Sequence, residues 1–182
     1  DDKLDRLTNM KGFVNQYNYN EIKDITINNS NNKIPLLTEF IEKCSELSIN
    51  IILELKVYHN EEQKIVNKVI DILNNYNNIR IIICSYSINL LQYLNCVCPN
   101  QDKILIVDKI PENWCEIISE TKCYGISINY NCNSLEDIKL CSDAIPTYCF
   151  TINNDKDVNN IINTNVKGII TDKPELFIKN IT

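Results

Sequence analysis

The sequence predicts an α/β fold, a parallel (β/α)8 barrel of the TIM type to which this chain supplies about six strands and their helices. Two observations carry that prediction, and a third separates it from an open sheet. From residue 34 onward, strand-like and helix-like segments alternate, and successive strand starts lie about 20 to 30 residues apart, the length of one βα unit. Polar residues collect where those strands end: Glu54 and Lys56, Ser85, Asp108, Asn129, Asn153, then Thr171 with Asp172. Side chains gathered at strand C-termini suit a barrel whose active face is built from βα loops. Only three glycines are present, at positions 12, 125 and 168, so no glycine-rich phosphate loop of a nucleotide-binding sheet can form.

The elements follow in order. Residues 1–33 are polar and rich in turn formers, and are expected to be an irregular excursion. Strands are expected at 49–56, 79–85, 103–107, 124–129, 147–153 and 166–171. Between them, helical patterns cover 36–48, 60–76, 87–96, 112–121, 134–142 and 154–163, with a last helix near 174–180. Ser134 with Asp137, and Asn153 with Asn154, supply N-cap chemistry where two of these helices should start. Asparagine pairs such as Asn74-Asn75 and Asn77-Asn78 fall in expected loops and helix ends.

The segment Ile51-Ile52-Leu53-Glu54-Leu55-Lys56 carries the most chemistry. Its apolar run suits a strand covered on both faces. Strand side chains alternate, so Glu54 and Lys56 should point the same way from one strand end. A carboxylate and an ammonium placed together there can hold a metal ion and meet an anion. A structural ion pair at a strand end is the alternative.

Composition narrows the rest. The chain has 182 residues, a formal net charge of −6 and no Lys/Arg-rich stripe, which argues against a nucleic-acid partner. Its apolar runs have strand length, so stable membrane insertion is not expected. The nine cysteines are odd in number, irregularly spaced and without a C-x-x-C. Several sit in apolar runs, and buried reduced thiols in a reducing, cytoplasmic compartment are the expectation. The lone His59 is expected in a polar turn, Trp114 is expected to pack, and the tyrosines form no helical stripe.

Several segments, in order along the whole chain, resemble one family. Asp1-Asp2-Lys3-Leu4-Asp5-Arg6-Leu7-Thr8-Asn9-Met10-Lys11-Gly12 is similar to H-D-x-x-L-x-R-T-T-x-G-x-G without its opening histidine. Ile34-Pro35-Leu36-Leu37-Thr38-Glu39 resembles I-P-T-L-x-E, Leu53-Glu54-Leu55-Lys56 resembles L-E-I-K, and Cys84-Ser85-Tyr86 resembles S-S-F. Phe150-Thr151-Ile152-Asn153 is similar to Y/W-T-V-N, and Gly168 to Pro174 to a G-I-I-T-D-x-P ending. On these segments the chain resembles the glycerophosphodiester phosphodiesterases, in the branch of small bacterial enzymes.

The resemblance implies a (β/α)8 barrel that hydrolyses small-molecule glycerophosphodiesters, such as glycerophosphocholine, to glycerol 3-phosphate and an alcohol. It further implies a divalent cation, Mg²⁺ or Ca²⁺, and two histidines acting as general acid and base. Carried over by position, Glu54 would ligate the metal, Lys56 would contact the substrate phosphate, Phe150 would line the pocket and Ser85 would sit at its rim. The family's H-R-G, P-E-N-T and E-x-D segments, and a histidine directly before Asp1, are expected upstream of this chain. Residues 1–182 are therefore expected to be part of a domain: 1–33 an insertion after a missing second strand, 34–182 units three to eight. Such a segment, with the first two strands elsewhere, is expected to be inactive alone and prone to aggregate at its open edges. Met10 stands where the family prefers glycine, and Asp172 is expected to cap the turn into Lys173-Pro174. Two other functions stay open: an inactive barrel homologue serving as a binding or scaffold domain, or a lysophospholipase D-like activity.

Overall fold

The computed structural model describes residues 2–28, 30–58 and 60–178. Contacts divide the chain into two compact units, Asp1–Ile51 with Lys56–Ile81, and Ile52–Leu55 with Ile82–Thr182. His59 and the end of the last expected helix lie outside the described residues.

The first unit begins with a compact loop region. Antiparallel bridges join Lys3 to Phe13 and Thr26 to Lys33, and the Asp5 carboxylate accepts the Gly12 N–H at 3.0 Å. Gly12 has φ +97°, a left-handed conformation that a side chain would strain. Met10 does not take a left-handed φ, so glycine is not needed there, and its N–H donates to Thr8 Oγ1 at 3.1 Å. A short helix α1 (Tyr19–Ile22) follows, then α2 (Leu37–Glu46) and α3 (Glu62–Leu73). Ile41 and Cys44 are buried on α2, and Val66, Val69 and Leu73 on α3, the three-to-four spacing of one helical stripe.

The second unit carries the sheet. Its strands are β1 (Ile51–Glu54, of which Ile52–Glu54 lies in this unit), β2 (Ile81–Ser85, from Ile82), β3 (Lys103–Val107), β4 (Gly125–Asn129), β5 (Thr147–Phe150) and β6 (Gly168–Ile169). They stand in sequential order and run parallel, the arrangement of six consecutive strands of a (β/α)8 barrel. The register is continuous, with Ile83 beside Lys103, Ile104 beside Gly125, Ile126 beside Thr147 and Tyr148 beside Gly168. The connecting helices are α4 (Ile88–Val97), α5 (Trp114–Thr121), α6 (Leu135–Ala144) and α7 (Asp155–Ile161), with α8 (Pro174–Ile178) after the last strand. Ser87, Ser134 and Asn154 each accept a backbone N–H three residues on, capping α4, α6 and α7.

Strand alternation splits the buried residues into two sets. Ile82, Cys84, Ile104 and Ile106 form one cluster, against which Tyr124, Tyr148 and Phe150 pack. The intervening Ile83, Leu105, Ile126, Ile128 and Cys149 are buried in turn, as are Leu90, Leu91 and Leu94 of α4. Gly125 is required by close approach: a Cβ there would lie 2.4 Å from the Pro146 carbonyl oxygen. Lys103 is 1% exposed; its ammonium donates to the Pro99 and Gln101 carbonyls at 3.5 and 3.2 Å, and burial pulls its pKa down.

Two sequence expectations are corrected here. Strand β1 ends at Glu54, so Lys56 lies beyond it and the period-two rule does not extend to that side chain. Nor is β1 covered on both faces, since Ile52 and Glu54 are exposed while Ile51 is buried and Leu53 half-buried. None of the nine cysteines is in a disulfide, but only five are buried (Cys44, Cys84, Cys123, Cys141, Cys149), while Cys98 is half-buried, and Cys96, Cys115 and Cys132 are exposed. Those three stand on outward positions of α4 and α5 and in the loop before α6, which the apolar count around each could not reveal.

Candidate active site

A cavity of about 530 Å³ opens on one face of the sheet, within the second unit. That is the volume of a site for a small organic ligand. Alternation along the strands explains its lining. Ile52 and Glu54 of β1, Cys84 of β2 with Tyr86 after it, Ile104 and Ile106 of β3, Ser127 of β4, and Tyr148 and Phe150 of β5 are all period-two positions facing one side. Thr151 and Ile169 to Thr171 complete the wall. The result is a mostly apolar chamber with a carboxylate, two phenols and a few hydroxyls set into it.

Glu54 is placed there by being the last residue of β1 and of the same parity as Ile52. Phe150 is placed there as the last residue of β5. Both sequence-predicted positions are therefore cavity positions. Ser85 is not. Its side chain takes the opposite parity and is 1% exposed; its hydroxyl donates to the Leu55 carbonyl at 2.7 Å and accepts the Ser87 N–H at 3.1 Å. A motif match locates a residue along the chain but not which face it takes, and one residue of difference reverses the face. Ser85 ties the ends of β1 and β2 together, and its neighbours Cys84 and Tyr86 face the cavity.

Lys56 belongs to the first unit, where its ammonium lies 3.8 Å from the Asp2 carboxylate. Asp2 also accepts the Tyr58 hydroxyl at 3.2 Å.

Tyr86 is the cavity residue that sequence reasoning passed over. Burial raises its phenol to about 12, and the charge of Asp108, the charge of Glu54 and a hydrogen bond to Asp108 add to the effect. The phenol therefore stays protonated at neutral pH. Asp108 Oδ1 in turn accepts Asn129 Nδ2 at 3.0 Å, and Asn133 Nδ2 donates to the Asp108 carbonyl at 2.7 Å. A second network closes over the ends of β5 and β6. Asn153 Nδ2 donates to Asp172 Oδ2 at 3.0 Å, and Asn153 Oδ1 accepts the Thr171 hydroxyl and the Asp172 N–H at 3.0 and 2.9 Å. Thr171, rather than the Asp172 carboxylate, caps the following turn, its hydroxyl accepting the Lys173 N–H at 3.0 Å. Of the polar strand ends read from the sequence, Asp108 with Asn129, and Asn153 with Thr171 and Asp172, are hydrogen-bonded neighbours.

Among the described residues, no three His, Cys, Asp or Glu side chains come together to hold a metal ion. Glu54 offers a carboxylate to the cavity, but the described residues do not form a metal cage around it.

A chamber lined from consecutive parallel βα units, with a carboxylate at a strand end in an aromatic wall, is the active-site arrangement of a (β/α)8-barrel enzyme, and comparison with known proteins gives the family. The profile of the "Glycerophosphoryl diester phosphodiesterase family" matches residues 1–176, and the chain belongs to that family. A glycerophosphodiester phosphodiesterase of Bacillus altitudinis is 30% identical over 193 residues, covering 98% of this chain and 78% of that protein. One from Caldanaerobacter subterraneus is 26% identical over 191 residues, covering 98% and 76%. Among solved structures, an Oleispira antarctica phosphodiesterase in complex with the product sn-glycerol-3-phosphate superposes with a TM-score of 0.90 at 22% identity, covering 100% of this chain and 77% of that one. That likeness establishes the barrel, and the family makes the protein a phosphodiesterase acting on glycerophosphodiesters.

Proposed function

We propose that the protein hydrolyses glycerophosphodiesters, such as glycerophosphocholine, to glycerol 3-phosphate and an alcohol with the help of a divalent cation. The observation that carries this reading is Glu54, a carboxylate at the C-terminal end of a parallel strand and in the wall of a cavity of substrate size. A Mg²⁺ or Ca²⁺ ion, when bound, would polarise the phosphoryl oxygens. Glu54 would contribute one carboxylate oxygen to it, the hard donor such ions prefer. Phe150, with Tyr148 and the isoleucines of β3, would exclude water from the carbon skeleton of the substrate. Lys56 would meet the phosphate charge as a compact cation, an assignment that rests on the sequence alone.

The test is turnover by the full-length natural protein. Release of glycerol 3-phosphate from glycerophosphocholine should require Mg²⁺ or Ca²⁺ and stop with chelator. Glu54→Gln, which keeps the shape and removes the charge, should lower kcat/KM by about 100-fold. Lys56→Ala should act mainly through KM. Full activity in the Glu54→Gln protein would overturn the assignment, and absence of turnover on every diester tried would favour a binding or scaffold role.

A further inference from the structure

The cavity wall is apolar along β3, where Ile104 and Ile106 face it, but not along β4. Alternation gives Gly125, Ser127 and Asn129 the cavity side of β4, with the buried Ile126 and Ile128 behind. Ser127 stands between Ile106 and Tyr148, its register partners on either side, and all three line the cavity. It lies two residues, about 7 Å, inside the end of β4, and so deeper than Phe150, which pairs with the terminal Asn129.

Ser127 is 4% exposed, and among the described residues its hydroxyl makes no hydrogen bond. By contrast, the buried hydroxyls of Thr8, Ser85, Thr121 and Thr147 and the buried ammonium of Lys103 each donate to a backbone carbonyl. Among the described residues, every buried side-chain oxygen sealed from solvent has a partner. The Ser127 oxygen has none, so the surface it keeps is surface that opens into the cavity. An unbonded hydroxyl in an apolar wall costs stability in the free protein, and serine is a poor filler for the middle of a buried strand. Both costs are accounted for when the partner arrives with the ligand.

We propose that Ser127 is a binding residue whose hydroxyl pairs with a hydroxyl on the carbon skeleton of the bound molecule, at the inner end of the cavity. In glycerophosphocholine the free hydroxyls all belong to the glycerol half, and the quaternary ammonium of the other half offers no hydrogen bond. The glycerol half therefore points inward to Ser127 and the alcohol to be released points outward, with Glu54 at its strand end facing the phosphate between them. The direction of binding rests on the phosphodiesterase reading; the unpaired hydroxyl does not.

Two measurements separate failure of one from failure of the other. In the first, turnover of glycerophosphocholine by the full-length protein is paired with urea unfolding. Ser127→Ala should raise KM about tenfold with kcat within about threefold, the worth of one hydrogen bond to the ligand. Its urea midpoint should be no lower than that of the unaltered protein, because the hydroxyl removed is unbonded without ligand. Ser127→Val, whose branched side chain suits a strand and projects into open space, should fold and bind more weakly still. A lowered midpoint in Ser127→Ala would mean that the hydroxyl is bonded within the full-length protein, and it would overturn the proposal, as would an unchanged KM.

The second measurement needs no turnover. With Mg²⁺ present, sn-glycerol 3-phosphate and propyl phosphate, which has no free hydroxyl, are each titrated by calorimetry. Ser127→Ala should weaken the first about tenfold and leave the second within about twofold. That outcome without hydrolysis of any diester would support Ser127 and count only against the phosphodiesterase reading. Equal effects on the two ligands, or no binding of sn-glycerol 3-phosphate to the folded, unaltered protein, would overturn the role of Ser127.

Discussion

Replacing Ser85 by alanine separates a pocket residue from a structural one. The hydroxyl is 1% exposed and makes two bonds, to the Leu55 carbonyl at 2.7 Å and from the Ser87 N–H at 3.1 Å. Alanine keeps the β-carbon and opens almost no space, so the cavity penalty is small. The cost is the loss of partners for two backbone groups, one of them on the buried Leu55. Leaving a buried polar group unsatisfied costs about 1 to 3 kcal/mol, and Ser87 N–H, half-buried, adds a fraction of that, so about 2 kcal/mol overall is expected. With a urea m-value of about 2 kcal/mol/M, the midpoint should fall by about 1 M. In thermal unfolding the same loss should lower Tm by about 4 to 8 °C for a chain of this size. KM for a glycerophosphodiester should stay within about twofold, because the hydroxyl does not face the cavity. A Ser85→Ala protein with an unchanged urea midpoint and a KM raised tenfold would refute this reasoning and return Ser85 to the pocket rim.

Three further outcomes are expected. Gly125→Ala should destabilise the sheet by about 2 to 4 kcal/mol in urea unfolding, because its Cβ would meet a backbone oxygen and disturb the Ile126 N–H bond to Pro146 at 3.0 Å; a midpoint within error of the unaltered protein would contradict it. In thiol titration under native conditions, Cys96, Cys115 and Cys132 should react quickly and Cys98 more slowly, while Cys44, Cys84, Cys123, Cys141 and Cys149 should wait for denaturant. Burial lifts Cys141 and Cys149 to about 11 and about 12, so their thiolates are scarce; fast labelling of either would count against the fold. Lys103 has a folded pKa below its unfolded value of 10.5, so between the two the unfolded chain binds more protons and stability rises with pH. The stability of the unaltered protein relative to Lys103→Met should therefore increase as pH is raised from neutral towards 10.5, and a decrease would be inconsistent with the burial of that ammonium.

The sequence was most legible where one physical rule acts alone. Parallel strands between helices write themselves as apolar runs separated by capped, amphipathic stretches, so all six strands and the helices after residue 34 appear where expected, with ends trimmed by a few residues. Ser134 and Asn154 were readable as caps because capping depends on residues three apart. Glu54 and Phe150 were placed in the cavity from matched segments, and parity happened to agree with the motif at both. At Ser85 it did not, because the residues of β2 are buried on both faces and no polar-apolar alternation marks which side is which. Tyr86 was passed over because its place in the cavity wall comes from burial among strands distant in sequence, and no local pattern records that.

By itself, then, the order of residues determined the class of fold, the family and a carboxylate at a strand end, since each depends on neighbours within a few positions or on segments kept in order. Only the tertiary structure decided which side of each strand faces the cavity, that β1 stops at Glu54 short of Lys56, and that Asp108 and Asn129 share a hydrogen bond. Those facts depend on register and twist between strands distant in sequence. A side chain's role is set by what lies across from it, and that is known only once the strands are paired.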